Sequence, residues 1–125
     1  MVVGLKLKID STTKTLRIVH KYEVFMIIQR WQAPHLPTEE QVKMILQLEG
    51  LDPSSEFWQA KTTIKEHRHS LTEILFVTEG ELTVNVSGNA FLLRQGDRAE
   101  IPANTRHQYQ ISWPSGCQVL ISYRV

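Results

Sequence analysis

Residues 67–86 read H-R-H-S-L-T-E-I-L-F-V-T-E-G-E-L-T-V-N-V, and the second two-thirds of this stretch decides the fold. Glu73–Thr78 is apolar and β-branched enough for a strand, and Glu79-Gly80 breaks it. Glu81–Val86 then alternates apolar and polar residues with a period of two, as a half-buried strand does. Ser87–Asn89 is a hairpin turn, Ala90–Leu93 a further strand and Arg94–Asp97 a further turn. R-A-E-I-P (98–102), H-Q-Y-Q-I-S-W (107–113) and C-Q-V-L-I-S-Y-R-V (117–125) continue in the same style. Short strands at close spacing, with Gly and Pro between them, predict an all-β sandwich or barrel from Phe57 to the last residue.

Upstream, Leu5, Leu7 and Ile9 alternate with Lys6, Lys8 and Asp10, which predicts a half-buried strand. Ser11–Thr13 reads as a turn, and Leu16, Ile18 and His20 resume the alternation, so a β-hairpin is expected. Tyr22–Trp31 is β-branched and aromatic and reads as a more buried strand. After A-P-H-L-P (33–37), residues 38–50 carry the punctuation of the one expected helix. Thr38 and Gln41 form a capping box, and Glu39 and Glu40 sit at the positive end of the helix dipole. Val42, Ile45 and Leu46 make an apolar stripe that Leu48 or Leu51 extends, and Gly50 followed by Pro53 ends the helix.

The chain of 125 residues is 42% apolar and 22% charged, ordinary composition for one globular domain. A formal net charge of +1, with bases and acids interspersed, leaves no electrostatic footprint for nucleic acid or an anionic membrane. One helix without a second, recognition helix is not a helix-turn-helix. Val24–Ile28, the longest apolar run near the start, is too short to span a bilayer, and no cleavage signal follows it. The single Cys117 excludes an internal disulfide and fits a reducing, cytoplasmic setting. It reads as an inert core residue.

On a strand, residues two apart share a face, so His67 and His69 project together. Glu73 shares its parity with Leu75 and Val77, which belong in the core, so Glu73 faces inward too. An inward carboxylate is costly unless paired or bound to a metal. His107 has the parity of Tyr109 and Ile111 and follows a proline-pinned loop, where a fourth ligand could return. His20 and His35 read as exposed or capping residues, Arg68 as surface or interface, and Trp31, Trp58 and Trp113 as packing or interface. Tyr109 is a candidate substrate contact or hydrogen-bond partner to a ligand, with barrel filling as the alternative.

These residues resemble the two motifs of the cupin superfamily. H-x-H-x3-E-x6-G is met by His67, His69, Glu73 and Gly80. G-x5-P-x-G-x2-H-x3-N is met by Gly96, Pro102 and His107, with Asn104 in place of the second glycine and Ile111 in place of the final asparagine. The initial glycine of the first motif, expected around Lys61, is absent. The resemblance implies a single cupin domain over residues 1–125, an antiparallel jelly-roll barrel with strands over 1–31, the helix over 38–50 and the barrel core over 57–125. It further implies one divalent metal ion held by His67, His69, Glu73 and His107. The mixed N/O set suits Fe, Mn, Ni, Zn, Co or Cu. An open ion would polarise a substrate or activate oxygen or water, as in an oxygenase, isomerase or lyase acting on a small organic molecule. The alternative is a noncatalytic small-molecule binding or sensor module with a structural ion. A homodimer is also expected, and Met26 stands beside Met1 as a second candidate start.

Overall fold

The computed structural model describes residues 6–10, 12–20 and 23–125. Met1, Leu5, Ser11 and Tyr22 therefore lie outside the described residues. Eleven strands and one helix follow in chain order: β1 Lys6–Asp10, β2 Thr15–His20, β3 Glu23–Gln29, α1 Glu39–Leu48, β4 Ser54–Trp58, β5 Thr63–His67, β6 Thr72–Glu79, β7 Glu81–Val86, β8 Asn89–Arg94, β9 Arg98–Ile101, β10 His107–Gln110 and β11 Cys117–Arg124. They form two antiparallel sheets, one ordered β1-β2-β3-β9-β6-β11-β4 and the other β5-β10-β7-β8. This is the expected jelly roll, with the hairpin extending one sheet and, among the described residues, a single helix outside it.

The two sheets enclose a core that includes Met26, Leu75, Val77, Leu82, Val84, Leu93, Val119 and Cys117. Met26 stands in the middle of β3 and is fully buried. Burial pushes the Cys117 thiol up to about 12, so it is an inert core group, as its setting predicted. Turn chemistry fixes the β7–β8 register: Ser87 and Gly88 both take left-handed backbone (φ 51° and 78°), the signature of a two-residue I′ hairpin.

The outer face of the larger sheet has its own cluster. Ile74 and Phe76 of β6 and Leu120 of β11 pack against Val42, Leu46 and Leu51, so β6 is buried on both faces. Of the two candidates to extend the helical stripe, Leu51 does so and Leu48 is 87% exposed. The capping box at Thr38 and Gln41 forms as expected. Gly50, at φ 82°, donates to Gln47 O and Leu51 donates to Leu46 O, a Schellman ending. At the same end Arg98 of β9 holds Glu49 with two bonds of 2.6 and 2.7 Å.

The expected half-burial of the first strand fails. Leu7 and Ile9 are 52% and 66% exposed, and no residue of β1 is buried. Among the described residues, seven strands face four, and none of them forms a second layer over the apolar side of the outermost strand of the larger sheet. No helix among the described residues is long and apolar enough to cross a membrane.

Candidate metal centre

The barrel pairing brings the two motif regions together. His67 ends β5 and His107 begins β10, and the two residues are direct partners across that pair. Glu73, near the start of β6, lies between β9 and β11 with Ile101 and Tyr123 opposite it. His69 lies beyond the end of β5, in the connection to β6, and so is not on a strand as the parity reading assumed. It still reaches the others because its backbone is braced: Asn104 N–H donates to His69 O at 2.7 Å. Asn104 adopts φ 65°, the left-handed conformation that the motif's glycine would supply and that Asn tolerates best among the rest. Lys61, where the first motif's glycine is missing, is also left-handed at φ 66°.

One ligand atom from each of His67, His69, Glu73 and His107 lies within 4.8 Å of the others. His67 Nδ1 is 2.8 Å from Lys65 O and His107 Nδ1 is 2.9 Å from Thr105 O. A carbonyl can only accept, so each Nδ1 carries a proton, and Nε2 faces the cluster with a lone pair when the ring is neutral and with an N–H when it is charged. This is the orientation by which a second contact prepares imidazole for a metal. His107 Nε2 meets Glu73 Oε2 at 2.9 Å, and His69 Nε2 meets Oε1 at 3.3 Å. Electron-rich atoms converge at such distances only around a proton or a cation, and three imidazoles with one carboxylate suit a divalent transition metal. The cluster could hold one.

Glu73 is 2% exposed. Burial pushes its carboxyl up, but hydrogen bonds from His107 and Tyr109 and the charges of His107 and His69 hold it below its ordinary value. The Tyr109 hydroxyl donates to Glu73 Oε2, and Tyr109 is itself buried, so it both fills the barrel and braces the carboxylate. Burial and the Glu73 charge push the Tyr109 hydroxyl well up, which keeps it a donor.

A mouth of about 400 Å³ opens beside these groups, lined also by Trp58, Ile64, Lys65, Ile121 and Tyr123. Trp58 packs against Tyr109 with ring centres 5.3 Å apart and planes tilted by 30°, which gives this tryptophan a place at the site. Tyr123 reaches Glu73 Oε1 at 3.4 Å and meets the His69 ring at 5.0 Å. Sequence reading passed over Tyr123, although Cys117, Val119, Ile121 and Tyr123 share one strand face. A larger hollow of about 580 Å³ lies between β3 and the 102–106 loop. None of the four clustered residues lines it, so it is not the mouth of this centre.

No curated protein matches the sequence. Solved structures share its fold at low identity. A cupin-2 domain protein from Shewanella frigidimarina is 17% identical over 75% of this chain and 81% of its own, with a TM-score of 0.52. KdgF from Halomonas sp. is 23% identical over 78% and 80%, with a TM-score of 0.52. The DMSP lyase DddQ from Ruegeria pomeroyi is 22% identical over 60% of this chain but only 38% of its own, with a TM-score of 0.55. The Cupin domain family profile matches residues 56–121, more than half of the chain, and the strands it covers are the barrel that carries the cluster. The chain belongs to the cupin family.

Proposed function

We propose that this cupin is a metal-dependent enzyme, with one divalent transition-metal ion held by His67, His69, Glu73 and His107 and a small organic substrate taken into the adjoining mouth. The convergence of four ligand atoms within 4.8 Å, with two rings already oriented through Nδ1, carries the proposal. A bound ion supplies a Lewis acid that polarises a substrate oxygen and acidifies water. The chain's own residues do the rest. Tyr109 fixes Glu73, while Trp58, Ile64 and Ile121 give the mouth an apolar wall that limits water. Lys65 and the Tyr123 hydroxyl are polar groups at the mouth that can orient a substrate. Of the oxygenase, isomerase and lyase classes, lyase is the first to assay, because a lyase shares the fold.

The test is elemental analysis of protein purified without added metal, followed by a substrate panel. About one transition-metal ion per chain is expected, with turnover abolished by chelation. Protein that takes up none of Mn, Fe, Co, Ni, Cu or Zn at neutral pH overturns the proposal. Four protein ligands are also enough to close a tetrahedral shell, which is the observation favouring a structural ion in a binding module. Metal retained without turnover, together with a ligand that binds in the mouth, would favour that second reading. The bare apolar side of β1 supports a homodimer, and a monomeric mass by light scattering overturns it.

A further inference from the structure

The four clustered residues are not held alike. His67 and His107 face one another across β5 and β10, and each ring is tied through Nδ1 to a carbonyl two residues back. Glu73 is enclosed and braced by Tyr109 and His107. Among the described residues, no protein group is bonded to the second ring nitrogen of His69. The polar contact of that ring among the described residues is Nε2 to Glu73 Oε1, and its side chain is 35% exposed at the mouth. Its backbone is held by Asn104, and its ring has edge contacts with His67 and Tyr123, centres 4.8 and 5.0 Å away, but no tie through Nδ1. Tyr123, from β11, reaches toward the same Glu73 oxygen and stands against the His69 ring.

Resting on the metal reading above, we infer that His69 is the exchangeable member of the ligand set. His67, Glu73 and His107 retain the ion, and the His69 position is yielded to a small donor from solvent, an imidazole-type nitrogen or an anionic oxygen. A ring oriented in advance by a carbonyl loses little freedom when it binds. A ring without such a tie must be oriented by the ion itself and adds less to affinity. Its displacement opens toward the mouth, not the core, because the side facing solvent is the side lined by Tyr123 and Trp58. There the Tyr123 hydroxyl is placed to donate to an incoming oxygen in place of Glu73 Oε1. His69 therefore sets which ligands reach the ion, whereas the other three set whether an ion is held.

Co2+ affinity, measured by competition with a chromophoric chelator, tests this on His67→Gln, His69→Gln and His107→Gln. Glutamine keeps a polar group at each position, and circular dichroism checks the fold. His69→Gln is expected to weaken Co2+ binding by about tenfold or less, and the other two by more than about a hundredfold. In His69→Ala, added imidazole is expected to restore affinity and shift the visible spectrum of the bound Co2+. Equal losses at all three positions, or no response to imidazole, would overturn the inference while leaving the metal site standing. Wild-type protein that binds no Co2+ and none of the other ions named above overturns the metal reading itself.

Discussion

Replacing Tyr109 by Phe removes one oxygen from the floor of the centre and leaves the ring, its burial and its contact with Trp58 in place. The lost oxygen donates to Glu73 Oε2, so the variant leaves a buried carboxylate with one donor fewer. A hydrogen bond to a charged group contributes about 1.5–3 kcal/mol. At about 2.1 cal/mol/K of unfolding entropy per residue, 125 residues correspond to about 0.26 kcal/mol per degree. A loss of about 2 kcal/mol thus lowers the melting temperature of metal-free protein by about 8 °C at neutral pH. The pH dependence has a definite sign. The folded carboxyl of Glu73 lies below its ordinary value of 4.5, so the stability it contributes is complete above that pH and is lost as pH falls through the folded value. The variant raises the folded value toward the unfolded one, so the gap between the two proteins narrows in acid. If Glu73 is a ligand, loss of its brace also weakens metal binding by about 10- to 100-fold. Scanning calorimetry and chelator competition read both effects. Equal melting temperatures at neutral pH, or a gap undiminished in acid, would refute the role given to this hydroxyl.

Lys61→Gly relieves a left-handed lysine and is expected to stabilise by about 1 kcal/mol, while Lys61→Ala keeps the strained Cβ and gains nothing; urea unfolding that ranks the two alike counts against it. Thr38→Ala removes the side chain that accepts from Gln41 N–H and is expected to cost about 1 kcal/mol, measured the same way. Hydrogen bonds from Arg98 hold the Glu49 carboxyl below its ordinary value of 4.5, so its contribution is present above that pH and lost as pH falls. Glu49→Gln is therefore expected to be less stable than wild type at neutral pH, and the difference is expected to shrink as pH falls below 4.5; a constant gap across that range would refute the pairing.

What could be read from the sequence follows the range of the interactions concerned. Thr38, Gln41 and Gly50 act within one turn of chain, and the helix ends where they say. His67, His69 and Glu73 are separated by one short connection, so parity and spacing gave their convergence, although His69 stands off the strand. Tyr123 is different. Its place depends on β11 pairing with β6 so that it falls opposite Glu73, and no local feature announces that register. The exposure of Leu7 and Ile9 was hidden for a related reason: alternation shows that a strand has an apolar side, not that a second layer exists to cover it. The helix packing on β6 did leave a trace in the unbroken apolar run I-L-F-V (74–77), which is what a strand buried on both faces shows.

The departures from the motif glycines fall at two left-handed positions of the backbone. Lys61 and Asn104 both keep the left-handed backbone that glycine would have adopted freely. Lys61 N–H donates to Ile111 O at 2.7 Å, so the turn leading into β5 is tied to the end of β10. Asn104 N–H ties the loop before β10 to the connection after His67. Two long-range backbone bonds thus clamp β5 and β10 at opposite ends, and between those clamps lies the pairing of His67 with His107. A left-handed non-glycine residue carries a conformational cost, and here each one also donates a bond that fixes strand register. The ligand geometry therefore depends on the backbone conformation at 61 and 104 more than on the identity of the residues there. Changes at these two positions should register as stability before they register as altered metal chemistry.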